Sequence, residues 1–345
     1  DALPISDGSP EAYNDFDLSR DGNGVFYDMD GDGDTDYLQY GYFARGNRLA
    51  TVYLNDGTGQ YIKQLNSDEM APLPNSYEYA TFAWGDLNKD GINDLLIGGD
   101  TYERNIDGIG YNDESAMFWG TATGHLIENT DISLMKVGTG NFTIADINND
   151  GHLDIVASGP DASGIYYNNG DETFTLDDTV FGDLTFGGNA VSQRYETGEL
   201  DIVISGFTRT PSFAILTILY RADEMGNVTK ISDSFFPGSS VVRHLFGDGN
   251  NDGIEDLMIT GTDFFRTRVN HLYFRDALGN YVSSYAIFDN ILTGWGLFED
   301  LNRDGAAEVI LFELDEEDFH VFWNDGYGQF GTAATYSYRL SNNRI

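Results

Sequence analysis

One nine-residue phrase, written five times, limits what this chain can fold into more than any other feature. Carboxylates or amides stand at positions 1, 3, 5 and 9, and glycine stands at position 6. The copies run Asp28–Asp36, Asp86–Asp94, Asp146–Asp154, Asp248–Asp256 and Asp300–Glu308. Oxygen side chains at odd positions, with a glycine where the chain must turn sharply, suit a hard cation such as Ca²⁺, which takes six to eight oxygens at roughly 2.3–2.6 Å. The candidate ligands are Asp28, Asp30, Asp32, Asp34 and Asp36 in the first loop, and Asp86, Asn88, Asp90, Ile92 and Asp94 in the second. The third offers Asp146, Asn148, Asp150, His152 and Asp154, and the fourth intact one Asp248, Asn250, Asp252, Ile254 and Asp256. The last has Asp300, Asn302, Asp304, Ala306 and Glu308, and position 7 offers its backbone carbonyl throughout. Asp, Asn and Gly are also ordinary turn formers. Five copies in register speak against that reading.

An EF-hand opens the same way but needs an acidic ligand at position 12 and a flanking helix. Position 12 here is Gln39, Ile97, Ala157, Ile259 and Leu311. The loops run instead into short apolar stretches such as Leu95-Leu-Ile-Gly-Gly and Ile155-Val-Ala-Ser-Gly, which is strand grammar. Each loop therefore closes at position 9 and feeds a strand.

The loops begin at 28, 86, 146, 248 and 300, so one gap is about twice the others. A decayed copy fills it: Gln193–Asp201 keeps Gly198 at position 6 and Asp201 at position 9, and Ile202-Val-Ile-Ser-Gly follows. With Gln193, Tyr195 and Thr197 at positions 1, 3 and 5, this copy is expected to hold no metal. Each repeat carries a second mark downstream, an aromatic run into a Gly or Asn turn, as in Val52–Tyr61, Ile165–Phe174, Leu272–Tyr281 and Val321–Phe330. These read as hairpins. Strand, metal loop, strand, connection, strand, tight turn, strand at this period gives an all-β fold, a β-propeller of four-stranded antiparallel blades. A β-solenoid, whose repeats are much shorter and lack hairpins, fits less well.

The Asp-x-Asp/Asn-x-Asp-Gly-x-x-Asp loop followed by an apolar strand and Gly resembles the FG-GAP/VCBS repeat. That repeat is similar to the blades of integrin α-subunit propellers and of many bacterial extracellular proteins. The resemblance spans about residues 25–334 and implies a propeller with about five structural Ca²⁺ ions between strands 1 and 2 of the blades. Integrin-like propellers have seven blades. Six are favoured here, because residues 1–20 are too few to supply another. The whole chain, 1–345, is read as one propeller domain after a 1–20 N-terminal segment.

The chain has no cysteine, which excludes disulfides and thiol chemistry and favours a bacterial source over an animal surface protein. No apolar stretch is long enough to span a membrane. Residue 1 does not begin a signal peptide, although a mature chain would look the same. Cytosolic Ca²⁺ is scarce, so an extracellular, cell-surface or periplasmic location is expected, largely from the resemblance. Net charge is −39, which makes nucleic acid an improbable partner because backbone neutralisation needs Lys and Arg patches.

Strand alternation puts the metal loops and tight hairpins at one end of each blade and the 2–3 connections at the other. Variable loops on a rigid scaffold commonly carry function, and these connections are rich in aromatic and basic residues. Tyr42, Arg45, Tyr102, Arg104, Arg209, Phe265 and Arg266 are the candidate ligand-binding residues. Aromatic faces and Arg forks suit sugars, uronates or an acidic peptide, although Arg–carboxylate pairing and blade-top packing would use the same residues. The long connection Asp100–Ala116 is the largest insertion. No nucleophile elbow, His-Glu-x-x-His or Walker loop occurs, and no catalytic residue is assigned. His152 at position 7 is expected to face outward, His244 to lie on a strand entering a metal loop, and His271 to open strand 3. The reading is an extracellular calcium-binding propeller acting as a carbohydrate- or protein-binding module. The alternatives are a polysaccharide lyase or hydrolase working on the face opposite the loops, as the resemblance to lyase propellers allows, and a calcium-bridged adhesion protein.

Overall fold

The computed structural model describes residues 20–43, 47–63, 77–105, 108–138, 140–185, 187–208, 213–238, 240–262, 267–284, 288, 293–313, 318–331 and 334–337. Among them there is no helix, and the strands form six four-stranded antiparallel sheets, the blades of a β-propeller fold. Each sheet is built from consecutive strands in chain order, as the repeat grammar requires.

Two compact units carry three blades each. In the first unit, blade 1 comprises β1 (Arg20–Tyr27), β2 (Asp36–Phe43), β3 (Asn47–Asn55) and β4 (Tyr61–Lys63). Blade 2 comprises β5 (Tyr77–Gly85), β6 (Asp94–Asn105), β7 (Gly108–Gly120) and β8 (Leu126–Glu128). Blade 3 comprises β9 (Asn141–Ala145), β10 (Asp154–Ser158), β11 (Ser163–Asn168) and β12 (Phe174–Asp177). In the second unit, which also takes in 147–149, blade 4 comprises β13 (Asn189–Val191), β14 (Leu200–Thr208), β15 (Ala214–Ala222) and β16 (Val228–Ser232). Blade 5 comprises β17 (Ser240–Gly247), β18 (Asp256–Thr262), β19 (Arg268–Arg275) and β20 (Tyr281–Ser283). Blade 6 comprises β21 (Thr293–Glu299), β22 (Glu308–Glu313), β23 (Asp318–Phe322) and β24 (Ala334–Ser337).

The apolar runs after the loops are second strands, buried on both faces. Side chains alternate across a strand, so in β6 Leu95 and Ile97 pack with Met29, Leu38 and Val52 of blade 1, whereas Leu96 packs with Ile155 and Ala157 of blade 3. In β18 Leu257 and Ile259 join Val203 and Leu219 of blade 4, while Met258 joins Val309, Leu311 and Phe322 of blade 6. A strand with no solvent face must be apolar throughout, which is why these segments lack the usual alternation.

The segment expected as a long connection, Asp100–Ala116, is instead a hairpin. The β6–β7 ladder continues without a break from Leu95↔Phe118 to Asn105↔Gly108. Its Thr, Tyr and Ile residues favour extended backbone, so the insertion lengthens two strands rather than adding an irregular loop. His271 also departs from expectation: β19 starts at Arg268, so His271 sits inside the strand, exposed.

Blades 3 and 4 each have a close backbone approach of their own at the start of strand 1. A Cβ added at Gly140 would overlap the carbonyl oxygen of Ser158, and one at Gly187 would overlap that of Ser205. Both obstacles are backbone in a second strand, which has little room to move. Gly187→Ala is expected to destabilise the protein by about 1–3 kcal/mol, the range for forced overpacking, read as a lowered urea midpoint at unchanged m-value.

Candidate cation loops and the guanidinium-filled fourth loop

The five intact loops share one conformation, built from side-chain oxygens accepting backbone N–H groups. At position 1, Asp86 accepts from Asp90 (3.0 Å) and Gly91 (2.9 Å). Asp146, Asp248 and Asp300 accept from positions 5 and 6 in the same way, whereas Asp28 accepts from Gly31 and Gly33. At position 5 the carboxylate accepts from the position 7 amide at 2.8–2.9 Å in every copy. Position 4 is left-handed throughout, at Gly31, Lys89, Asn149, Asn251 and Arg303, and so is the glycine at position 6. Non-glycine residues rarely adopt that conformation, and the Asx-type bonds around them hold it.

Position 9 is a buried carboxylate in every blade: Asp36, Asp94, Asp154, Asp201, Asp256 and Glu308 are each 0% exposed. One oxygen accepts the amide of position 2, as Asp36 does from Met29 (2.7 Å) and Asp94 from Leu87 (2.8 Å). The other accepts the amide at the end of strand 3, from Asn55 to Asp36 (2.8 Å), Gly120 to Asp94 (3.0 Å), Asn168 to Asp154 (2.8 Å) and Arg275 to Asp256 (2.8 Å). This residue therefore staples the loop to the hairpin beside it. In blade 6 the longer Glu308 takes the Leu301 amide (2.8 Å), and its Oε1 is buried without a hydrogen-bond partner.

The donor set fits a divalent cation. Oxygens of Asp28, Asp30 and Asp36 lie within 4.8 Å of one another. Burial pushes the Asp94 carboxyl up to about 7 and that of Asp256 up to about 8, against the pull of their amide donors. A carboxylate held so far from water gains from a nearby positive charge.

The fourth loop has that charge built in. Arg221 binds Asp201 with Nε (2.6 Å) and Nη2 (3.1 Å), Arg275 binds it with Nε (2.9 Å), and the Tyr281 hydroxyl donates to it (2.8 Å). The Arg275 guanidinium also lies 3.5 Å from the ring centre of Tyr195, at position 3. Arg194, at position 2, donates to the carbonyls of Gly198 (2.6 Å), Asp223 (3.2 Å) and Ile147 (3.0 Å). Backbone bonds from Tyr195 to Glu199 (2.7 Å) and from Gly198 to Tyr195 (2.9 Å) replace the missing Asx bonds. The turn itself persists, with Gly198 left-handed like its counterparts.

Sequence reasoning missed Arg194, Arg221, Arg275 and Tyr281. A signal existed for one. Arg275 occupies the strand-3 end that carries Asn55, Asn168 and Asn324 in other blades, and it does so in the blade after the decayed loop. Those asparagines have their own task. Asn168 Nδ2 donates to Leu153 (3.0 Å) and to Leu87 of the preceding blade (2.7 Å), and Asn324 Nδ2 donates to Ala307 and to Gly249 (both 2.9 Å).

Of the candidate ligand-binding residues, Arg45, Arg209, Phe265 and Arg266 lie outside the described residues. Tyr42, Tyr102 and Arg104 are described in backbone alone, with Tyr42 opposite Arg48, Tyr102 opposite Tyr111 and Arg104 opposite Ile109. His152 is half-buried rather than outward-facing, its ring covering Gly170 of the adjacent hairpin turn. His244 is buried. Its Nε2 lies 2.7 Å from Ser205 Oγ, which lies 2.7 Å from Thr217 Oγ1, which donates to the Pro237 carbonyl (2.9 Å). The carbonyl can only accept, so each hydroxyl passes its proton along the chain and Nε2 must carry the imidazole hydrogen.

Comparison with known proteins agrees with the loops and the fold. Residues 28–97 match the FG-GAP-like repeat. That FG-GAP-like match covers the first loop, the second loop and the opening residues of the strand after it. No curated protein matches the chain in sequence. Among solved structures, the fold is similar to that of an Agrocybe aegerita lectin described as specifically recognising non-reducing terminal N-acetylglucosamine. The TM-score is 0.58 at 19% identity, over 92% of this chain and 80% of the lectin. A second similarity, to the Tc holotoxin pore of Photorhabdus luminescens, has a TM-score of 0.39 at 13% identity, over 94% of this chain and 17% of that one. Among the described residues no helix is long and apolar enough to cross a membrane.

Two outcomes follow from the second unit. Arg275→Met leaves Asp201 buried with one guanidinium fewer and is expected to cost about 3–5 kcal/mol, the range for breaking a buried pair, measured by urea denaturation. Burial and the Arg243 charge push the His244 imidazole down to about 3. Below its ordinary value near 6.5 the unfolded chain takes up a proton that the folded chain refuses, so stability falls as pH falls. Between pH 7 and pH 5 this group should remove about 2 kcal/mol, and His244→Gln should reduce the pH-dependent drop in melting temperature accordingly.

Proposed function

We propose that this protein is a calcium-stabilised β-propeller that serves as an extracellular recognition module for carbohydrate. The observation carrying the calcium reading is the shared cradle of the five loops. Position 9 is buried in each, and three carboxylates gather within 4.8 Å in the first. The ligands would be the side chains at positions 1, 3, 5 and 9 and the carbonyl at position 7. When bound, the ion supplies positive charge to carboxylates that burial otherwise penalises. The chain supplies the left-handed turn that presents them, and the position 9 staple passes the order of the loop to its hairpin.

The recognition reading is supported by the likeness in fold to a lectin and by aromatic and arginine residues between or near the ends of strands 2 and 3, with Tyr42 in β2 and Tyr102 and Arg104 in β6. Tyr42, Arg45, Tyr102, Arg104, Arg209, Phe265 and Arg266 are the residues proposed to meet the ligand. Stacking rings and bidentate guanidinium groups suit sugar faces and acidic sugar substituents. A net charge of −39 directs the ligand away from polyanions at large and towards contacts confined to such local patches.

Chelation tests the first half. At a hundredfold excess of free Ca²⁺ over Kd, each site adds about 2.7 kcal/mol, so EGTA should lower the melting temperature markedly and Ca²⁺, but not Na⁺, should restore it. An unchanged melting temperature would count against structural calcium. A glycan array that includes terminal N-acetylglucosamine and uronate-containing oligosaccharides tests the second half. Tyr102→Ala with Arg104→Ala should weaken any binding at least about tenfold, or 1.4 kcal/mol, at unchanged melting temperature. Binding that survives the double change would remove that patch, and new reducing ends would indicate a hydrolase instead.

A further inference from the structure

The fourth loop keeps the turn of a metal loop and lacks its ligands, yet two of its former ligand positions still hold a cation. Asp201 at position 9 binds Arg275 at 2.9 Å, and Tyr195 at position 3 faces the same guanidinium at 3.5 Å. The Arg275 side chain is 2% exposed and that of Asp201 0%, so solvent does not screen the pair. Arg221 binds the same carboxylate from the strand opposite, and Glu199 lies 4.0 Å from Arg221 and 3.7 Å from Arg275, so two carboxylates face the two guanidinium groups. Arg194 supplies donors to the loop carbonyl at Gly198.

We propose that this cluster is a protein-supplied substitute for the metal, and that it makes the junction of blades 4 and 5 a calcium-independent anchor from which the other loops order and disorder as calcium varies. The inference rests on the calcium reading of the five intact loops. A bound ion leaves by mass action when its concentration falls. A guanidinium tethered to β19 cannot leave. Arg275, Tyr281 and Asp201 join the two blades directly, with Tyr281 donating to Asp201 at 2.8 Å. Two other neighbouring pairs have their loop-end polar tie through a metal loop itself: Asn168 donates to the Leu87 carbonyl and Asn324 to the Gly249 carbonyl, each at loop position 2. Calcium withdrawal therefore loosens that kind of tie and spares the arginine kind.

Hydrogen exchange on the full chain, with Ca²⁺ and then with EGTA, tests this, alongside the calcium stoichiometry. The expected stoichiometry is about five ions per chain. In EGTA the amides of Gly91, Gly253 and Gly305 should exchange at least about tenfold faster, while those of Ser192, Tyr195 and Gly198 change less than about twofold. Arg275→Gln should accelerate Ser192, Tyr195 and Gly198 whether or not calcium is present. If that variant does not fold, Tyr281→Phe should do the same to a smaller degree. Acceleration of the fourth loop together with the others in EGTA, a sixth ion, or variants that leave the fourth loop unchanged would each overturn the anchor. No acceleration in any loop would instead remove the calcium reading on which the anchor rests.

Discussion

A carboxylate with no access to water sits at the same place in each of the six blades, and the rest of the architecture answers to it. Taking a charge out of water costs several kcal/mol unless partners compensate. At Asp36, Asp94 and Asp256 two backbone amides compensate in part. One comes from the loop and one from the hairpin beside it, so satisfying the carboxylate ties the two together. The amide dipoles do not fully replace the lost water, and burial raises the proton affinity of Asp94 and Asp256. Each blade thus has a structural reason to collect a cation at its loop.

The fold contains two ways of meeting that demand. Five loops surround the buried carboxylate with further side-chain oxygens, the donor set proposed above for a hard divalent ion. The fourth loop removes the extra carboxylates and imports arginine from its own third strand and from the next blade. The two arrangements exclude each other electrostatically: a guanidinium within 3 Å of position 9 would repel Ca²⁺, and the two or three further carboxylates of an intact loop would overload the arginines. Gln193, Tyr195 and Thr197 at positions 1, 3 and 5 are uncharged, while position 9 remains Asp201.

The local parts of this were legible in the sequence. Loop phase, the strand after each loop, the hairpin turns and the decayed copy follow from residues a few positions apart, and turn chemistry acts over that range. The arginines at the fourth loop were not, because Asp201 and Arg275 are 74 residues apart and nothing local says that a strand-end arginine reaches into another blade. The Asp100–Ala116 hairpin was misread for a related reason. Its composition suggested a functional insertion, whereas ladder pairing depends on two segments agreeing in register, from Asp100↔Asp113 to Asn105↔Gly108. His152 was placed outward because position 7 offers its carbonyl, and the packing of its ring on Gly170 involves a hairpin beyond the loop.

The strand-3 end ties these observations together. Asparagine there bridges the position 8 carbonyl of its own loop to the position 2 carbonyl of the loop before it, as Asn168 and Asn324 do. An amide can do this only if the preceding loop already points that carbonyl outward. The asparagine thus reads the order of a neighbour that something else must establish. Arginine at the same position does not read order but imposes it, because it brings the charge that the neighbour lacks. The decayed loop, which lacks the carboxylates of the others, is met in this way by Arg275 of the next blade.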